Sequence, residues 1–236
     1  MLNKGTVSII IPAFNEEDRI GATIDAIRAA KLADEIVIID DGSTDGTSKV
    51  ALEKNVRLVR RPRNHGKGAA LNAGLAIALG EVLVFLDADL GESASKAKPI
   101  IDAVKNGDAD FSIGRFSSPG GFGFVLKLSR LGVRLMCGFE AHAPLSGQRA
   151  MRRNVLGAVY PLRADFGVET AMLIDAVRAG FKVVEVPVDL SHRATGRDFR
   201  GFLHRARQGI GVLRAIASAF VKYFILRKKH PAPQRD

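Results

Sequence analysis

The feature of this chain that most restricts its fold is a regular alternation, through its first half, of short β-branched runs with stretches whose apolar residues recur at helical spacing. Residues 7–11, 35–39, 56–59, 82–86 and 109–113 have the composition of strands. Between them, residues 17–30, 44–52, 67–79 and 94–104 repeat apolar side chains as a helix packed on one side does. Strand and helix in alternation predict an α/β fold with a mostly parallel central sheet flanked by helices. After residue 116 the rhythm loosens through Ser117, Ser118, Pro119, Gly120 and Gly121, which reads as a loop. A helix near 125–137, a short strand near 147–152, a helix over 168–179 and a strand over 183–189 complete the expected globule.

In such sheets ligands sit beyond the carboxyl ends of the strands. Three expected strands run straight into unusual segments there, at 12–16, 40–45 and 87–89. Asp87-Ala88-Asp89 delivers two carboxylates one residue apart, and keeping both ionised calls for a cation nearby. Oxygen ligands of this kind suit Mg²⁺ or Mn²⁺ bridging to phosphate, although an Asp-x-Asp also occurs as a plain solvated turn. Asp40-Asp41 ends a second strand and leads into Gly42-Ser43-Thr44-Asp45. Ser43 or Thr44 is expected to cap the next helix, and Asp41 to accept a base N–H or a ribose hydroxyl. Asn64-His65-Gly66-Lys67-Gly68 precedes another helix, where glycines admit backbone N–H groups to a phosphate and Lys67 adds a point charge. No Ser or Thr follows that Lys and no Gly-x-Gly-x-x-Gly follows the first strand, which disfavours P-loop nucleotidases and nicotinamide dehydrogenases. His65, His142 and His192 are too scattered for a zinc site.

The net charge of +10 is concentrated at one end. Residues 200–236 hold nine Lys or Arg and one acidic residue, leaving 26 basic against 24 acidic residues before them. Aromatics make up 6% and Trp is absent, so stacking platforms for nucleic acid are few. The domain reading is a catalytic unit over 1–200 and a basic amphipathic helical tail over 201–236. The apolar run 210–226 contains Arg214 and Lys222 and falls short of the ~20 residues that a bilayer span needs. At helical spacing Arg207, Gly211, Arg214, Ser218 and Lys222 share one stripe, while Val212, Ile216, Ala219, Phe220 and Tyr223 take other faces. Such a helix either rests on a membrane surface or packs on the domain. The lone Cys137 excludes an internal disulfide, and Met1 to Gly5 run into the first strand with no leader pattern, so the expected location is cytoplasmic.

The joint order of Val7 to Glu17, Ile39-Asp40-Asp41-Gly42-Ser43-Thr44-Asp45, Gly66-Lys67-Gly68, Asp87-Ala88-Asp89, Ser146-Gly147-Gln148-Arg149 and Gly180 to Pro187 resembles the family-2 glycosyltransferases. Within them the chain is most similar to the dolichyl- or polyprenyl-phosphate sugar synthases. The resemblance implies a GT-A, Rossmann-like fold, a UDP- or GDP-sugar donor, and Mg²⁺ or Mn²⁺. It also implies transfer with inversion to polyprenyl phosphate, or another membrane acceptor, at the inner face of a membrane. Carried over by position, Pro12, Phe14 and Glu16 line the nucleotide pocket and Asp41 holds the base. Asp87 sits by the ribose or the metal-bound diphosphate, Asp89 is the principal metal ligand, and Arg115 and Arg149 reach donor or acceptor phosphate. Glu169 matches a family acid and, with Asp165, is the candidate base for a hydroxyl acceptor. Gly91, Glu92 and Ser93 depart from the residues usual after the Asp-x-Asp, with Glu92 available in place of a missing metal contact. The rival readings are a retaining enzyme of the same fold glycosylating a small phosphorylated acceptor, a nucleotidyltransferase, or a noncatalytic sugar-nucleotide binder.

Overall fold

β1 (Val7–Ala13) is buried on both sides along almost its whole length, which places it inside a sheet covered on both faces. Successive side chains of a strand point to opposite faces, and Ile10 joins one core while Ile9 and Ile11 join the other. Each such isoleucine, removed from water completely, stabilises the fold by about 1.5–3 kcal/mol. The computed structural model describes residues 5–116, 123–163, 167–191 and 199–225, with the backbone alone for 199–208. The expected loop at 117–121, Asp165, the segment 192–197 and the basic residues after 226 lie outside the described residues.

From β1 the chain runs through α1 (Glu17–Ala29), β2 (Glu35–Asp40), α2 (Thr47–Glu53), β3 (Arg57–Arg60), α3 (Lys67–Leu75) and β4 (Val82–Phe85). A 3₁₀ stretch (Ala88–Ala97), α4 (Lys98–Lys105), β5 (Phe111–Phe116) and α5 (Gly123–Cys137) follow. Then come β6 (Arg149–Arg152), a short α6 (Leu156–Val159), α7 (Val168–Arg178), β7 (Val183–Val188) and α8 (Phe199–Phe220), which ends in a π-helical turn (Val221–Ile225). The seven strands form one sheet in the order β3-β2-β1-β4-β6-β5-β7. All pairings are parallel except those of β6, which runs antiparallel to β4 and β5. The expected mostly parallel α/β architecture is therefore present. Strand order reverses at β1, whose neighbours are β2 and β4, and a crevice opens at the carboxyl ends there.

Three boundaries differ from the sequence reading for identifiable reasons. α3 stops at Leu75, not 79, because Arg57 Nη1 donates to the Ile77 carbonyl at 2.8 Å and the Leu79 N–H donates to Glu35 at 2.9 Å, drawing the chain out of the helix. α2 starts at Thr47: the Asp45 carboxylate accepts the Thr47 N–H at 3.0 Å, while Ser43 Oγ accepts the Asn15 N–H instead of capping. The helix expected over 94–104 begins six residues earlier as 3₁₀ and kinks at Gly91, whose φ of +55° suits glycine. Thr23 of α1 holds that kink, its hydroxyl donating to the Ala88 carbonyl and accepting the Gly91 N–H, each at 2.8 Å.

α8 packs against α5 and α7. Val212, Ala215 and Ala219 are buried, Ile216 and Tyr223 are half-buried, and Arg214, Ser218, Phe220 and Lys222 are exposed. Gly211, expected on the polar stripe, is buried against Gly167. Among the described residues no helix is long and apolar enough to cross a membrane.

Candidate active site

The crevice is walled by two loops stitched together by side chains. The turn after β1 donates Asn15 N–H to Ser43 Oγ (2.9 Å) and Glu16 N–H to Thr47 Oγ1 (2.8 Å). In return Asn15 Oδ1 accepts the Thr44 N–H at 2.9 Å, and Glu17 accepts the Gly46 N–H at 2.6 Å. Asn15 holds a φ of +57°, a conformation that asparagine tolerates better than most residues. The result leaves Phe14 44% exposed at the rim, with Pro12 and Glu16 half-buried beside it.

Asp41 is 3% exposed. One carboxylate oxygen accepts from Arg61 Nη1 at 2.8 Å, and the other accepts the N–H groups of His65 (3.0 Å) and Gly66 (2.8 Å). It therefore ties β2 to the glycine turn ahead of α3, a role the sequence reading did not assign. Next to it a cleft of about 280 Å³ is lined by Gly42, Ser43, Arg60, Arg61 and Pro62. Gly42 is obligatory there: its φ is +81°, and a β-carbon would fall 2.6 Å from the Arg63 backbone.

The centre of the site is a cluster of three charges, from the start of α3, the chain just past β4 and the start of α7, joined by the amide of Gln148. Lys67, at the start of α3, places its Nζ 2.6 Å from Asp87 Oδ1 and 3.1 Å from Glu169 Oε1 in the first turn of α7. Burial opposes the ammonium, but those two carboxylates outweigh it and raise the Lys67 pKa above its ordinary 10.5. Asp87 is gripped a second time by Gln148, whose Nε2 donates to Oδ2 at 2.6 Å while its Oε1 accepts the Asp87 N–H at 3.1 Å. Gln148 carried no assignment from sequence. The only hint was its place in the Ser146-Gly147-Gln148-Arg149 stretch. Gly147 admits this cluster: a β-carbon there would lie 2.4 Å from Lys67 Nζ and 2.8 Å from Asp87 Oδ2.

Sheet register levels further residues with the pair. Phe85 and Ile113 both pair with Arg149, so Asp87, just past β4, and Arg115, still within β5 and paired with Pro187 of β7, stand at the same level near the carboxyl ends of these strands. Arg115 is exposed there. Asp89, half-buried at the start of the 3₁₀ stretch, lies two residues past Asp87, and its carbonyl accepts from Arg19 Nη1 at 3.3 Å. Glu92 is exposed.

Arg149 departs from the expectation of a phosphate contact. It is 1% exposed, and its guanidinium donates to the carbonyls of Ser146, Glu169 and Pro144, each at 2.8 Å, while lying 5.5 Å over the Phe111 ring. Burial pulls its pKa down to about 10, partly offset by Glu169 and Glu185. As placed, it fastens the β6 approach to the start of α7, and so sets where Gly147, Gln148 and Glu169 stand.

The donor set fits a hard divalent cation. Asp87 and Asp89 offer carboxylate oxygens, and Asp87 already holds a cation, the Lys67 ammonium. Among the described residues no group of three His, Cys, Asp or Glu side chains is arranged to hold a metal alone. Mg²⁺ commonly takes one or two carboxylates and completes its shell with water and substrate phosphate, which is what two aspartates at an open crevice provide.

Comparison with known proteins agrees with this geometry. The chain is 32% identical over 208 residues to the polyprenol monophosphomannose synthase of Mycolicibacterium smegmatis, covering 80% of this chain and 78% of that one. It is 32% identical over 199 residues to the glucosyl-3-phosphoglycerate synthase of Mycolicibacterium paratuberculosis, covering 72% of this chain and only 59% of that longer protein. A crystal structure of glucosyl-3-phosphoglycerate synthase from Mycobacterium tuberculosis, in complex with Mn²⁺, uridine diphosphate and phosphoglyceric acid, superposes with a TM-score of 0.73 at 27% identity, covering 91% of this chain and 78% of that one. The same enzyme has been solved with Mg²⁺ and uridine diphosphate. The profile described as Glycosyl transferase family 2 matches residues 8–159, which contain the β1 turn, Asp41, Lys67, both aspartates and Gln148, and the chain belongs to that family.

Proposed function

We propose that this chain transfers a sugar from a UDP- or GDP-sugar to the phosphate of a polyprenyl phosphate, with inversion at the anomeric carbon. The observation that carries the reading is the charge cluster beside the β1/β4 switch point, where Lys67 pairs with both Asp87 and Glu169 and Asp89 follows Asp87 by two residues. Asp87 and Asp89 would hold Mg²⁺ or Mn²⁺. When bound, that ion supplies positive charge against the leaving diphosphate.

The nucleotide takes the crevice between the Pro12–Glu16 turn and the Arg61 side of Asp41, with Phe14 at its rim. Lys67, protonated at neutral pH, presents its ammonium to phosphate oxygens, and Arg115 adds a planar guanidinium near the carboxyl ends of the strands. The acceptor phosphate oxygen is already ionised, so no base has to remove a proton. That oxygen bonds to the anomeric carbon as the bond to the diphosphate oxygen breaks, and the electron pair leaves with the diphosphate. The residues of the cluster then act by positioning and by charge.

A second reading is favoured by the solved relative that binds phosphoglyceric acid. An acceptor hydroxyl needs a base, and Glu169, 13% exposed beside Lys67, is the described residue placed for it. One experiment separates the readings. UDP- and GDP-sugars are incubated with Mn²⁺ and either polyprenyl phosphate or 3-phosphoglycerate, and the product anomer is read by NMR. Transfer to polyprenyl phosphate with inversion supports the first reading. Transfer to 3-phosphoglycerate alone replaces it with the second.

A further inference from the structure

We propose that the outward sides of α5 and α8 together form a docking surface for an anionic lipid bilayer. The proposal rests on the lipid-phosphate reading for its purpose, though not for its evidence. α5 and α8 lie in contact and run in the same direction: Val125 meets Gly209 and, seven residues further along each helix, Gly132 meets Ile216. The second contact is close, since a β-carbon on Gly132 would fall 2.2 Å from Ile216 Cδ1. Each helix buries one side in the core and turns the other to solvent.

The solvent sides are unusually apolar. Phe124 is 80% exposed, and Leu131 and Leu135 of α5 and Ile210, Leu213 and Phe220 of α8 are about half exposed or more. Scattered exposed leucines mean little, but six large side chains on two touching helices make a patch that calls for a partner.

Charge selects the partner. None of the chain's 25 acidic residues lies in α5, α8 or the π-helical turn. The exposed rows carry Lys127, Arg130 and Arg134 on α5 and Arg214 on α8. A second copy of the same surface would be repelled. Nucleic acid would suit the charge but not the exposed phenylalanines and leucines. An anionic bilayer suits both, because apolar side chains enter the acyl boundary while lysine and arginine stay among the headgroups.

The surface is mechanically close to the chemistry. Gly211 and Ala215 of α8 abut Gly167, where a β-carbon would fall 2.3 Å from the Gly211 carbonyl oxygen, and Gly167 precedes Glu169 by two residues. On α5, the Ser129 hydroxyl bonds the Thr170 hydroxyl at 2.9 Å, next to Glu169. The helices that carry the docking surface on their outward sides therefore pack, on their inward sides, against the start of α7 that holds Glu169.

The test is co-sedimentation of the full chain with vesicles of phosphatidylcholine and phosphatidylglycerol in equal parts, containing no polyprenyl phosphate. The full chain pellets at low salt, and does not pellet with phosphatidylcholine alone. Lys127→Glu with Arg214→Glu lowers the partition coefficient by about tenfold or more, and Leu131→Gln with Leu135→Gln does so by a similar factor. Both pairs keep the circular-dichroism spectrum and the transfer rate to a short-chain, water-soluble prenyl phosphate. Pelleting unchanged by either pair overturns the proposal. So does a concentration-dependent dimer that the leucine substitutions dissolve, or duplex binding that the charge reversals abolish in a chain that ignores vesicles. Vesicle binding by a chain that never glycosylates polyprenyl phosphate upholds the surface and removes the lipid-acceptor reading instead.

Discussion

Replacing Gly147 by alanine tests whether Asp87 must stand where the structure puts it. The new β-carbon would sit 2.4 Å from Lys67 Nζ and 2.8 and 2.9 Å from the two Asp87 oxygens, where ordinary contact begins at 3.4 Å. Gly147 does not have a positive φ, so alanine is conformationally allowed and the perturbation is one of space. Lys67 Nζ ends a flexible chain and yields easily. Asp87 does not, because Gln148 holds both its carboxylate and its backbone N–H. The carboxylate must therefore retreat by roughly 0.5–1 Å, and a misplacement of ~1 Å costs on the order of 10²-fold in rate. Overpacking of this kind costs the fold only about 1–3 kcal/mol. The assay is kcat and KM for sugar transfer with thermal unfolding in parallel. Gly157→Ala serves as control, since nothing lies within 4 Å of its β-carbon. Inside α6 that change stabilises by about 0.5–1 kcal/mol and leaves kcat alone. A Gly147→Ala protein with wild-type kcat and an unchanged metal requirement would refute the placement of Asp87 as a working ligand.

Arg149→Lys is expected to lower unfolding stability by about 2–4 kcal/mol, because an ammonium cannot span the three buried carbonyls that the guanidinium satisfies. Unchanged denaturant stability with lost transfer would return Arg149 to a phosphate contact. Asp41→Ala takes the acceptor from Arg61 Nη1 and the His65 N–H and leaves the Gly66 N–H with Asn64 Oδ1 alone, so donor affinity measured by calorimetry falls together with about 1–3 kcal/mol of stability. Undiminished affinity contradicts the assignment of the nucleotide to that side of the crevice. For Lys67 the folded pKa is raised, so the stabilisation from its ion pairs is fully present below 10.5 and is lost only as pH rises through the still higher folded value. The pH–rate profile should accordingly show no Lys67 limb up to about pH 9. A basic limb below that point, shifted by Lys67→Arg, would contradict it.

The elements positioning the first half of the site were legible because the early strands are compact β-branched runs and the segments 12–16, 40–45 and 87–89 each follow one directly. Asp87 and Asp89 were readable as a pair from spacing alone. What spacing could not convey was which charges face one another across the sheet. Lys67 reads as a phosphate cation in its own turn, yet Asp87 and Glu169 come from segments 20 and 102 positions away, and only the fold brings them together. Arg149 shows the same limit from the other side. In sequence it is an arginine near a glycine; in the structure it is fully buried under Phe111 and engaged by main-chain carbonyls. The departure at Gly91-Glu92-Ser93 also acquires a reason: Gly91 makes the kink that Thr23 holds, and Ser93 Oγ accepts the Ser191 N–H at 3.1 Å. For α8, helical spacing located the buried Val212 and Ala219 but gave no means of telling that α5 would lie beside them.

The central claim is that Asp87 and Asp89 make nucleotide-sugar binding depend on a divalent cation. Calorimetric titration of UDP and GDP into the protein with and without Mn²⁺ tests it most directly, run on the wild type and on Asp89→Asn. The account predicts that one of the two nucleotides binds the wild type at least about tenfold more tightly with Mn²⁺, and that Asp89→Asn, folded by thermal unfolding, shows no such gain. Metal-independent binding in the wild type, or an undiminished Mn²⁺ effect in Asp89→Asn, would contradict it.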